Sequence, residues 1–206
     1  MVDEVTTTGT NVLFFSLMAH LGNIRGKRIV ETGCGDGRGT TLLSKAVGSR
    51  GIVLASDNDP DAVAKTKARL DDARNVRCTV ADCCDLSYIE TSTCDAVISN
   101  LVLHVVPDPV GMIREAMRVL KPGGKFVFSC GRPARDPNCF LNAMLGVLRS
   151  VTADTREAQE WFDEVHHRGS FEHVCALLET EGCHHIFGWQ QDVAMCVDTV
   201  EEAAVL

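Results

Sequence analysis

The sequence predicts a doubly wound α/β protein, a largely parallel sheet with helices packed on both of its faces. Three observations carry that expectation. Short apolar runs rich in β-branched residues alternate with helical patterns through the first two-thirds of the 206 residues. Each run is almost continuously apolar, the mark of a strand buried on both faces rather than on one. Two of the helical stretches open on an aspartate followed by proline, a capping acid set before a residue suited to the first helical position.

Taken in order, segment 1–26 holds NVLFFSLMAHL (11–21). That stretch is too short to span a bilayer and follows Asp3 and Glu4 rather than the basic residues of a secretory leader. It is expected to form a packed helix, with 12–21 covering part of a site. KRIVET (27–32) is the first strand and runs into a glycine-rich turn and a helix. GIVLAS (51–56) is the second, and Asp59-Pro60 starts the helix after it. VRCTVA (76–81) and DAVISN (95–100) are the third and fourth strands. The helix begun by Asp108-Pro109 places Val110, Ile113, Met117 and Leu120 on one face. KPGG (121–124) is expected to end it and turn into KFVFSC (125–130), the fifth strand. After segment 131–170 comes the helical pattern FEHVCALLETEG. HHIFGWQ (184–190) and VAMCVDTV (193–200), parted by Gln191-Asp192, read as a terminal hairpin that adds an antiparallel strand.

The chain is 45% hydrophobic and long enough for one well-buried core, so 1–206 reads as a single domain. A net charge of -8 argues against a nucleic-acid partner, because gripping phosphates needs a basic face. Ten cysteines without a Cys-x-x-Cys pair fit a reducing, cytoplasmic setting, and no membrane segment is expected. His166, His167, His173, Cys175, Cys183, His184 and His185 crowd the tail, yet their spacings match no zinc pattern, and no metal is expected.

The glycine turn raises the central question. A strand, a glycine-rich turn and a helix commonly cradle a phosphate. Here Glu31 stands directly ahead of Gly33-x-Gly35-x-Gly37, and Arg38 occupies the third glycine position of the dinucleotide fingerprint. A carboxylate at that place repels a pyrophosphate and attracts a ligand bearing an ammonium and a sulfonium, as S-adenosylmethionine does. Asp57, at the end of the second strand, is placed to accept from both ribose hydroxyls. Asp82, after the third strand, can accept from an adenine amino group, with the Cys83 N–H serving a ring nitrogen.

On VETGCGDG (30–37), LASDNDP (54–60), VADCCDL (80–86), DAVISNLVLHVVPDP (95–109) and REAMRVLKPGGKFVFS (114–129), the chain resembles the class I S-adenosylmethionine-dependent methyltransferases. The likeness is to the broad small-molecule group with a type 11 methyltransferase domain. It implies a Rossmann-like, seven-stranded sheet of order 3-2-1-4-5-7-6. It also implies roles: Glu31 with the turn Gly33, Cys34, Gly35 and Gly37 near the methionine part, Asp57 on the ribose, and Asn58 against the adenine face, where the family more often has an apolar residue. Asp82 and Cys83 fall at the adenine, and Asn100 and Leu101 beside the sulfonium.

The implied activity is methyl transfer to O, N or C of a small-molecule acceptor by in-line displacement. Segment 131–170 is then the acceptor-side insertion, with Phe140, Leu141, Met144, Leu145 and Leu148 at helical spacing and Trp161 and Phe162 as candidate pocket residues. His104 either orients or deprotonates the acceptor or is a packed loop histidine. The motif Asn100-Leu101-Val102-Leu103 departs from the Asn-Pro-Pro-aromatic motif of amino-methylating DNA enzymes. Other readings are a non-catalytic cofactor-binding subunit, a protein methyltransferase, and an arsenite methyltransferase drawing on Cys83, Cys84, Cys94 and Cys130.

Overall fold

The computed structural model describes residues 9–130 and 170–188. Five parallel strands form one sheet in the order β3-β2-β1-β4-β5. They are β1 (Arg28–Thr32), β2 (Ile52–Asp57), β3 (Val76–Val80), β4 (Cys94–Asn100) and β5 (Leu120–Ser129). The described helices are α1 (Gly9–Leu21), α2 (Arg38–Val47), α3 (Pro60–Arg69), α4 (Pro109–Val119) and α5 (Phe171–Thr180). The strand order reverses between β1 and β4, which opens a crevice at the carboxyl ends of those two strands.

Alternation along the strands sorts the core into two layers. Ile29, Val53, Ala55 and Ile98 face Phe14 and Leu17 of α1 and Leu43 and Val47 of α2. Val30, Leu54 and Val97 face the opposite way, onto Leu86, Ile89, Ala116 and Val119. Each such side chain taken from water contributes about 1.5 to 3 kcal/mol. A further cluster joins Leu103, Val106, Met112 and Ile113 to Val174 and Leu178 of α5.

The acid-proline starts behave as their chemistry requires. Asp59 accepts from the Asp61 N–H at 2.9 Å and Asp108 from the Gly111 N–H at 2.8 Å, each satisfying a donor that a helix leaves open. Two other expectations need correction. The buried face of α4 is Met112, Ile113, Ala116 and Val119, whereas Met117 is exposed. Apolar residues occur on both phases of this helix, and the sheet selects one. KPGG does not lead into the strand from outside it. Leu120 already pairs with Cys94, and the register then jumps to Lys125 opposite Ala96, so the glycines form a bulge within the β4–β5 ladder.

The connection 81–93 between β3 and β4 consists of turns and bends rather than a helix. Arg118 of α4 satisfies much of its backbone, donating to Leu86 O at 2.9 Å and Ile89 O at 3.0 Å while paired with Glu115 at 2.7 Å. Glu115 in turn accepts from the Leu86 N–H at 2.7 Å. Of the expected terminal hairpin, 184–188 are described and form no strand; its remainder lies outside the described residues. Segment 131–169, with Phe140, Trp161 and their neighbours, and His166 and His167 also lie outside them. Among the described residues no helix is long and apolar enough to cross a membrane.

Candidate functional site

The crevice is built from strand ends. Leaving β1, the chain turns so that the Gly33 and Cys34 N–H groups both donate to Ser56 O of β2, at 2.8 and 3.0 Å. Gly35 follows in the left-handed region at φ 54°, and a Cβ there would meet nothing within 4 Å. The turn therefore presents bare backbone to open space, which a ligand can approach closely. The Gly35 N–H donates to Asp57 Oδ2 at 2.9 Å, and the Asp59 N–H donates to Asp57 Oδ1 at 3.1 Å. Two backbone donors thus fix the direction of the Asp57 carboxylate. Thr66 of α3 braces the turn from below, its hydroxyl donating to Gly35 O at 2.9 Å with Cys34 Sγ at 3.6 Å. Burial pushes the Cys34 thiol up to about 12, so it serves as a small packed group.

Glu31 lies beneath this turn and is only 2% exposed. Its Oε2 accepts from the Thr40 hydroxyl in the first turn of α2 at 2.6 Å. A Cβ added at Gly39 would come within 2.6 Å of Glu31 Oε1 and 2.6 Å of the Phe14 ring, so glycine is what lets α2 pass over the acid. Loss of hydration pushes the Glu31 carboxyl up to about 8; the Thr40 hydrogen bond opposes that rise and the Asp57 charge adds to it.

At the far rim, Ala81 N–H donates to Asp57 O at 2.9 Å, setting the start of the 81–93 connection beside the end of β2. Asp82 is exposed and its Oδ1 accepts from the Cys84 N–H at 2.8 Å. Asn58 is exposed next to Asp57. Across the crevice, Asn100 Oδ1 accepts from the Ser129 hydroxyl at 2.7 Å. Leu101 adopts φ 61°, an unusual conformation for a branched residue, and donates its N–H to Ser129 Oγ at 3.0 Å. His104 is 8% exposed beside Leu103 and Val106, and burial lowers the affinity of its imidazole for a proton.

The sequence-predicted residues therefore fall into two groups. Glu31, the turn 33–37, Asp57, Asn58, Asp82 and Cys83 line successive ends of β1, β2 and β3, while Asn100 and Leu101 close the crevice from β4. His104 sits deeper, within packed side chains. Sequence reasoning missed Thr40 and Thr66, gave Gly39 no role, and placed Phe14 only within the covering stretch 12–21. A signal existed for Thr40, since a carboxyl placed at a buried strand end needs a donor and the following helix is the nearest source.

Residues 30–128 match the family model described as a methyltransferase domain. The chain is 34% identical over 154 residues to demethylmenaquinone methyltransferase of Staphylococcus aureus, covering 72% of this chain and 64% of that protein. It is 35% identical over 126 residues to a ubiquinone biosynthesis O-methyltransferase of Xanthomonas oryzae pv. oryzae, covering 60% of this chain and 50% of that protein. The chain thus spans less than two thirds of the length of these curated relatives. Its fold is shared with a SAM dependent methyltransferase from Aquifex aeolicus, with a TM-score of 0.62 at 20% identity over 82% of this chain and 78% of that one. With the switch-point crevice, the acid-led glycine turn and the family match in agreement, segment 30–128 is a methyltransferase domain of the class I S-adenosylmethionine-dependent kind.

Proposed function

We propose that the protein transfers a methyl group from S-adenosylmethionine to O, N or C of a small, partly apolar acceptor. One observation carries the reading. The donors with which a glycine turn and helix start would hold a phosphate are directed instead onto the protein's own carboxyls, Gly35 N–H onto Asp57 and the Thr40 hydroxyl onto Glu31. The cleft that results offers acceptors and negative charge, which suits a ligand carrying an ammonium, ribose hydroxyls and an adenine amino group.

When bound, S-adenosylmethionine supplies a methyl group already activated by its sulfonium. The residues bind and align. Glu31 draws the ammonium from beneath the turn, Asp57 takes the ribose hydroxyls on lone pairs left by its two backbone donors, and Asp82 with the Cys83 N–H reads the adenine. Asn100 and Leu101 border the sulfonium, and Asn58 lies along the adenine. In-line displacement is promoted chiefly by alignment and exclusion of water. The His104 imidazole, kept neutral by burial, orients the acceptor or takes its proton where one must leave. Segment 131–170 shapes the acceptor pocket and 1–26 covers its side, within one cytoplasmic catalytic unit.

The test is calorimetric titration with S-adenosylmethionine, S-adenosylhomocysteine and NAD, followed by a mass-spectrometric screen for methylated products. The activities named for the relatives put ring-bearing, partly apolar acceptors first in that screen. Binding of the first two ligands without NAD, with turnover of an acceptor, is expected. NAD binding in place of the other two overturns the reading, and binding without turnover of any acceptor class favours a non-catalytic subunit. His104→Gln should lower kcat more than it raises KM.

A further inference from the structure

We propose that Asp82, Cys83 and Cys84 form a binding site for a thiophilic divalent cation of the zinc class on the rim of the crevice. One carboxylate oxygen and two thiol sulfurs from these residues lie within 4.8 Å of one another. A tetrahedral zinc with ordinary bond lengths requires sulfur–sulfur separations of about 3.8 Å and sulfur–oxygen separations of about 3.5 Å. Closing the site therefore needs movements of about 1 Å, which side-chain rotation can provide.

The ligands sit on ordered backbone. The Cys84 N–H donates to Asp82 Oδ1 at 2.8 Å and the Asp85 N–H to Asp82 O at 3.0 Å, fixing the turn after β3. The Cys84 thiol donates to Asp108 O at 3.2 Å at the start of α4, which holds the sulfur beside that helix in the free protein; this hydrogen bond is given up when the thiol loses its proton to a metal. Both cysteines are free of disulfides and half-buried, and exposed Asp82 leaves an entry path. The pair is adjacent in sequence, which is why spacing rules built on Cys-x-x-Cys do not detect it. On binding, each thiol passes its proton to the buffer as its sulfur bonds the metal; the carboxylate adds an oxygen ligand, and water fills the fourth position. No oxidant or reductant is needed.

Resting on the adenine role proposed for Asp82, the same site opposes the cofactor, because the metal engages the carboxylate that would read the adenine. The test titrates the full chain with Co(II), followed by thiolate charge-transfer absorption, and then displaces it with Zn(II). Wild type should take up one equivalent with a charge-transfer band. C84S and D82N should bind about tenfold more weakly or worse, and C83S/C84S should lose the band, while C130S, whose thiol lies elsewhere in the same apolar cluster, should match wild type. D82N alters an exposed side chain and guards against variants that fail to fold. A band and affinity unchanged in C83S/C84S overturn the site. One equivalent of zinc should weaken S-adenosylhomocysteine binding about tenfold or more in wild type and not in C83S/C84S. Zinc bound through these residues with no effect on that ligand overturns the competition. A chain that binds zinc through them but never binds the ligand overturns the cofactor reading and leaves the cation site standing.

Discussion

Glu31→Gln separates the two things a buried acid beneath a ligand does. The Gln side chain keeps the size and can still accept from the Thr40 hydroxyl, but it carries no charge. With a carboxyl pushed up to about 8, the wild-type residue is ionised in only about one molecule in ten at pH 7. If the ligand ammonium requires the carboxylate, apparent affinity scales with that ionised fraction. It should rise about tenfold between pH 6 and 7 and continue upward to pH 7.5, above which the ligand's own α-amino group, near 7.7 to 8.0, begins to lose its charge. In Glu31→Gln the affinity should be lower at pH 7.5 and flat across this window. The same shift bears on stability. A folded-state value raised from 4.5 to about 8 means the contribution is fully present below 4.5 and is lost as pH rises through 8. Urea unfolding should therefore show wild type losing on the order of a few kcal/mol between pH 5 and 8.5 relative to Glu31→Gln. Calorimetry with S-adenosylhomocysteine at three pH values is the assay. Equal, pH-independent affinities in the two proteins would refute a role for the Glu31 charge in binding.

Asp57→Ala should weaken S-adenosylmethionine binding by about 1.5 to 3 kcal/mol, part of it because the Gly35 N–H loses its acceptor; calorimetry on the folded variant checks this. Gly39→Ala should destabilise the fold by about 1 to 3 kcal/mol, since the new methyl meets Glu31 and Phe14 at 2.6 Å, and a denaturation midpoint equal to wild type would show that α1 and α2 part freely. Gly35→Val has space in the free protein but takes on a left-handed backbone strain of about 1 to 2 kcal/mol. Its loss of ligand affinity should exceed that of Asp57→Ala, and wild-type affinity would show the turn to be structural only. Arg118→Met should cost about 1 to 3 kcal/mol of stability, because Ile89 O loses the guanidinium donor, Leu86 O keeps only the Ile89 N–H, and Glu115 is left half-buried without its partner.

What was legible in the sequence was local or chemically out of place. Apolar, β-branched runs revealed β1 to β5, but only β1, β2 and β4 are buried on both faces as expected; β3, at the sheet edge, has no buried residue, and β5 is largely half-buried or exposed. Asp59 and Asp108 announced their helices because a cap acts within three residues. Glu31, Asp57 and Asp82 stood out because acids at the ends of apolar strands need a reason. The phase of α4 did not show, since Met112 and Met117 are equally apolar and only the sheet behind the helix decides between them. Leu101 gave no sign of its left-handed backbone, which is imposed by the β4–β5 strand ends. Phe14, Gly39 and Thr40 are ordinary residues in their own helices; they acquire meaning only when α1 and α2 converge on Glu31.

That convergence explains how one supersecondary unit can serve opposite ligands. A strand, turn and helix expose N–H donors and the positive end of a helix, a natural receptor for anions. Adding a carboxyl in the open would merely neutralise it. Here Glu31 is sunk below α2 with a single hydroxyl donor, so it stays largely protonated and costs little until a cation arrives to stabilise its ionised form. Asp57 instead takes the Gly35 N–H that a phosphate would have used and turns the exposed edge of the turn into an acceptor. The backbone geometry of an anion site is thus retained while its electrostatic sense is reversed, by one acid that blocks the donor and a second that is held in reserve beneath it.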